Sequence, residues 1–78
     1  MSIKNPENIG SKIKRLRVLY GYKQEYVAGQ MGLSQTGYSK IETGYSKMTL
    51  EKATLIARIY DMSLVELLEW KEANTAGQ

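Results

Sequence analysis

Residues 24–44, QEYVAGQMGLSQTGYSKIETG, constrain the fold of this chain more than any other stretch. Val27, Ala28 and Met31 fall at i, i+1 and i+4, so they share one helical face. Gly32 follows, where a helix commonly ends in the left-handed conformation that glycine takes without steric cost. After Leu33 comes Ser34, a good N-cap because its hydroxyl accepts from an orphan backbone N–H of a new helix. That second helix puts Tyr38 and Ile41 on one face and ends near Gly44. Each helix is too short to be stable alone. The pair must pack on itself and on a third element.

Two short helices meeting at a tight Gly-Leu-Ser turn form a helix-turn-helix, whose second helix can enter the DNA major groove. The residues resemble the Xre/Cro–cI family of small DNA-binding domains. Ala28 is small where the two helices nearly touch, Gly32 sits in the turn, and Val27, Met31, Leu33 and Ile41 occupy the family's core positions. Ser34-Gln35 opens the second helix, and Ser39-Lys40-Ile41-Glu42-Thr43-Gly44 closes it in the family's S-x-I-E-x-G manner. The likeness runs from about residue 9 to residue 68. Three positions depart from the pattern. Tyr38 replaces the usual Ile or Val, Lys23 replaces a capping Thr or Ser, and Gly37 puts a poor helix former in the reading helix. That glycine costs about 1 kcal/mol relative to Ala and removes one side chain that would otherwise read a base.

Composition narrows the alternatives. A chain of 78 residues is one small domain. It has no Cys and no His, which argues against a disulfide framework, a zinc or other transition-metal site and the usual nucleophile–base pairs. No apolar run approaches a membrane span and the first residues do not read as a signal peptide, so a cytoplasmic protein is expected. The net charge of +3 is unevenly spread. Residues 1–50 hold eight basic and three acidic residues, +5, whereas residues 51–78 hold three basic and five acidic, −2. The basic half is the one with the motif, as a polyanion partner requires.

Periodicity supplies the remaining elements. Residues 1–5 read as a flexible arm, followed by a helix start at Asn5-Pro6-Glu7. Ile9, Ile13, Leu16, Leu19 and Tyr20 form an amphipathic stripe that stops at Gly21, with Lys12, Lys14 and Arg15 off the stripe and solvated. Thr49 caps a fourth helix whose stripe is Leu50, Ala53, Ile56, Ala57 and Tyr60, widened by Leu55. Ser63 and Glu66 fit a capping box ahead of Leu64, Leu67 and Leu68, and Trp70 ends that fifth helix. Residues 71–78 are polar and expected to be disordered. The expected product is all-α: a compact five-helix lambda-repressor-like domain over residues 6–70, with a central helix-turn-helix and no sheet.

The resemblance assigns roles. Gln35, Thr36, Ser39 and Lys40 would face base edges. Their chemistry suits the task, since Gln pairs with adenine, Lys with guanine, and Thr bonds a base or touches a thymine methyl. Gln24 would meet a phosphate and brace Gln35, while Lys23, Thr43, Tyr45, Ser46 and Lys47 border the same face as phosphate contacts. Arg17 would pair with Glu42 and orient the reading helix. The implied function is sequence-specific binding of double-stranded DNA by a transcriptional repressor or autoregulator, as a homodimer on a palindromic operator. No cofactor is implied. With so little chain outside the domain, control would come from concentration, dimerisation or a separate protein partner. The alternative is a protein-interaction module on the same fold, such as an antitoxin that contacts a toxin. An enzyme is a poor reading, because nothing suggests a converging pocket.

Overall fold

The computed structural model describes residues 9–71 of the chain. These residues form five helices: α1 Ile9–Leu19, α2 Gln24–Met31, α3 Gln35–Thr43, α4 Leu50–Ile59 and α5 Leu64–Glu69. No strand occurs among them. The expected arm, the Asn5-Pro6 helix start and the tail from residue 72 onward lie outside the described residues.

Local chemistry sets the helix boundaries. The Gly32 backbone turns left-handed (φ 73°), and the Leu33 N–H returns to the Ala28 carbonyl at 2.9 Å. Ser34 Oγ accepts from the Gly37 N–H at 3.0 Å and opens α3. Thr49 does the same for Lys52 at 3.1 Å at the start of α4. The Ser63–Glu66 capping box is complete, with both reciprocal bonds formed. Lys23 gives α2 no side-chain cap, and its carbonyl accepts from the Tyr26 N–H at 3.1 Å. At the α4–α5 corner Asp61 adopts φ 59°, the left-handed region that glycine usually fills.

Helix α3 packs on both α1 and α2, α2 packs on α4, and α4 on α5. One core joins them: Ile13 and Leu16 from α1, Val27, Ala28 and Met31 from α2, Tyr38 and Ile41 from α3, Ala53, Ile56 and Ala57 from α4, then Tyr60 and Leu67. Trp70 is half-buried against this core and serves as a lid on it.

The expected stripes are narrower in the folded chain. Leu19 is 56% exposed and Tyr20 48%, so the fully buried part of the α1 stripe is Ile13 and Leu16. Leu50 is 71% exposed at the first position of α4, and Leu55 and Leu68 also face outward. Tyr20 stacks sideways instead, its ring 4.9 Å from that of Tyr60 in an edge-on contact. Lys12, expected in solvent, is half-buried and donates from Nζ to the Leu68 carbonyl at the end of α5.

One close approach was not foreseen. Gly10 is buried where α1 crosses α3. A Cβ there would lie 2.5 Å from both the Ile41 and Glu42 carbonyl oxygens. The missing side chain is what lets α1 lie directly on the backbone of α3.

Candidate nucleic-acid interface

Helix α3 buries Tyr38, Ile41 and Glu42 on one side. The other side presents Gln35, Thr36 and Lys40 exposed, with Ser39 half-buried between them. These four positions follow helical spacing, so they form one continuous polar strip along α3.

The strip is anchored from beneath. Arg17 reaches from α1 to the Glu42 carboxylate through two bonds, Nε to Oε2 at 2.6 Å and Nη2 to Oε1 at 3.2 Å. Its remaining arm donates to the Tyr22 carbonyl at 3.0 Å. Gln24, the first residue of α2, donates from Nε2 to Glu42 Oε1 at 3.0 Å. In turn Gln24 Oε1 accepts from Gln35 Nε2 at 3.2 Å. A chain of bonds therefore runs Arg17–Glu42–Gln24–Gln35, from the core of α1 to the exposed tip of α3. The Gln24–Gln35 link matches the bracing role expected for Gln24. The Gln24–Glu42 link was not anticipated, although the expected Arg17–Glu42 pair, which the structure forms, already turned the acid toward α1.

The electrostatics fit this geometry. Burial by itself would push the Glu42 carboxyl up, but the bonds from Arg17 and Gln24 outweigh it and hold the group below the usual carboxylate range. The bond to Glu42 likewise raises Arg17 above its ordinary value, against the opposing effect of burial. Burial raises Tyr38, and the neighbouring Glu42 charge raises it further. Its hydroxyl sits beside that carboxylate without an aligned hydrogen bond, and the Tyr60 hydroxyl is buried in the same state. The charged pair thus stands in a low-dielectric pocket lined by tyrosine.

The expected phosphate contacts lie at the two ends of the strip. Lys23, exposed, and Gln24, half-buried, mark the N-terminus of α2. Thr43, Tyr45 and Lys47 are exposed at and beyond the end of α3, and Ser46 is half-buried. The Ser46 N–H donates to the Lys40 carbonyl at 3.0 Å, which folds the loop back onto α3. Tyr45 is 86% exposed and covers nothing, so its ring is free to meet a partner. Among the described residues no group of His, Cys, Asp or Glu is placed to hold a metal ion, and no helix is long and apolar enough to cross a membrane.

Two short helices joined by a left-handed glycine, the second capped and outward-facing, define a helix-turn-helix domain. A family model described as helix-turn-helix matches residues 13–67, and the chain belongs to that family, in its Xre/Cro–cI-like branch. Three curated relatives are similar to it. A protein of Pyrococcus horikoshii named as an HTH-type transcriptional regulatory protein is 33% identical over 77% of this chain and 19% of its own length. Two Bacillus subtilis proteins are 31% and 29% identical over 82% and 86% of this chain: the SPbeta prophage-derived uncharacterized HTH-type transcriptional regulator YonR and the HTH-type transcriptional regulator AnsR. The chain spans 59% of the length of each of these two.

Proposed function

We propose that this chain binds double-stranded DNA sequence-specifically and regulates transcription as a repressor or autoregulator, without enzymatic activity, in the cytoplasm. The observation that carries the reading is the outward strip of Gln35, Thr36, Ser39 and Lys40 on a capped helix, held by the Arg17–Glu42–Gln24–Gln35 chain. A rigid helix with amide and ammonium groups on its N-terminal half suits the major groove, where Gln reads adenine and Lys reads guanine. Lys23, Gln24, Thr43, Tyr45, Ser46 and Lys47 flank the strip as phosphate contacts that position it. The relatives named as transcriptional regulators point the same way.

A homodimer on a palindromic site completes the reading. A lone domain with so few cations on this face would bind weakly, because phosphate neutralisation supplies much of DNA affinity. Val65 and Leu68 on α5 are exposed apolar residues and offer a contact between copies. Two reading helices would then meet successive grooves about 34 Å apart. A separate protein partner, as in an antitoxin, is the second reading, and the same apolar residues would serve it.

The test is fluorescence anisotropy with a duplex from upstream of the chain's own reading frame and a scrambled duplex, over a salt series. Tight binding to the first alone, lost in the Gln35→Ala, Lys40→Ala double variant, is the expected result. Equal weak binding to both would reduce the chain to generic polyanion affinity and favour the protein-partner reading.

A further inference from the structure

Two exposed surfaces of the folded chain complement each other in shape of pattern and in charge. The first is a groove of about 680 Å³ between α4 and the α2–α3 turn. Leu33, Leu50 and Leu55 line it, and the last two are 71% and 38% exposed. Lys52 and Arg58 line it as well, against the single acid Glu51, so the apolar floor carries a net positive rim. The second surface is a ridge on α5. Val65, Leu68 and Glu69 follow i, i+3, i+4 spacing and share one helical face. Val65 is 60% exposed, Leu68 49%, and Glu69 is exposed with them. Glu69 is the last residue of α5, at the negative end of the helix dipole, so its own helix opposes its charge. The other acid of α5, Glu66, is engaged in the capping box.

An exposed apolar groove receives an amphipathic helix through anchors at i, i+3 and i+4. The α5 ridge has such anchors, and its free acid is opposite in sign to the groove rim. Helices α4 and α5 pack on each other within one chain, yet both surfaces stay exposed, so a chain does not fill its own groove. We propose that a second copy of this chain fills it: the α5 ridge of each protomer lays Val65 and Leu68 against Leu50 and Leu55 of the other, with Glu69 facing Arg58. The exchange is reciprocal about a twofold axis, so it closes as a dimer and leaves no groove free for further growth. The inference rests on the homodimer reading above and names the surface that receives α5, in place of α5 packing on α5.

The experiment reverses one charge on each surface. Analytical ultracentrifugation follows the full-length wild type, Arg58→Glu, Glu69→Arg and an equal mixture of the two variants, alone and on a duplex enriched by the wild type from a random pool, over about two decades of concentration. Circular dichroism checks folding, and Leu55→Gln, in the middle of the groove, serves as a further disrupting variant if a charge reversal does not fold. Each variant by itself sets like charges opposite each other at both ends of the twofold contact, and its dimer is expected to dissociate about tenfold more readily. In the mixture both contacts are again between opposite charges, so heterodimers of wild-type strength are expected. Folded variants that dimerise as the wild type does would overturn the groove contact and leave the homodimer reading standing. Weakening by Glu69→Arg alone, without repair on mixing, would overturn it in favour of α5 packing on α5. A wild type that stays monomeric both alone and on the duplex would overturn the contact together with the homodimer reading, and leave the groove to a different protein.

Discussion

Two residues show how much rests on single side chains. Arg17 satisfies both oxygens of a carboxylate that is itself buried, so Arg17→Ala leaves an unpaired charge in the core. The expected loss is about 3 kcal/mol, measured as a fall in the urea midpoint. Arg17→Lys recovers only part of it, because one ammonium cannot reproduce the planar fork and its third bond to the Tyr22 carbonyl. Gly10 gives a sharper contrast. Gly10→Ala drives a methyl group into two backbone carbonyls at 2.5 Å and should cost several times what Gly29→Ala gains. Position 29 is helical, exposed and open around its Cβ, so alanine there stabilises by about 0.8 kcal/mol through helix propensity alone. Thermal unfolding of the two variants should move in opposite directions. In the sequence the two glycines look equivalent. Only the crossing of α1 over α3, a contact between positions far apart in the chain, separates them.

At the scale of elements, the ends of the helices were the most legible feature. Ser34, Thr49 and Ser63 each cap the helix that follows them, because a cap depends on residues three positions away and on nothing else in the fold. Ser34→Ala should cost about 1 kcal/mol and also loosen the strip on α3, measured by chemical denaturation and by hydrogen exchange at Gly37. The α4–α5 corner has room for improvement. Asp61→Gly relieves a left-handed non-glycine residue and should stabilise by about 0.5–1 kcal/mol in the same assay. The apolar faces were less legible. Leu50, Leu55 and Leu19 obey helical periodicity and still face outward, because periodicity gives the direction of a stripe and not how far a neighbouring helix covers it. The polar strip on α3 could be read from motif and spacing. The Gln24–Glu42 bond that anchors it could not, since it joins two helices whose packing no local pattern fixes.

The molecule as a whole should respond to acid through one buried group. The folded-state pKa of Glu42 lies below its unfolded value, so its stabilisation is fully present above the ordinary carboxylate range and is lost as pH falls through the folded value. Urea midpoints should be level near neutrality and drop below about pH 4.5, and Glu42→Gln should flatten that drop while lowering the plateau. The tyrosines act at the other limit. Burial raises both Tyr38 and Tyr60, so stability should fall once pH exceeds the ordinary tyrosine value of 10.0 and the unfolded chain ionises first.

The bond chain from Arg17 to Gln35 also bears on how a lineage of such proteins changes its target. Gln24 serves the buried acid and the outermost amide at once, so a substitution there is felt in both folding and recognition. Thr36 and Lys40 stand in the same strip with no side-chain tie to that chain. Under the proposed role, drift toward a new operator is cheapest at Thr36 and Lys40, intermediate at Gln35, and nearly closed at Gln24. The inherited scaffold would thus decide which letters of the recognised site are free to change and in what order.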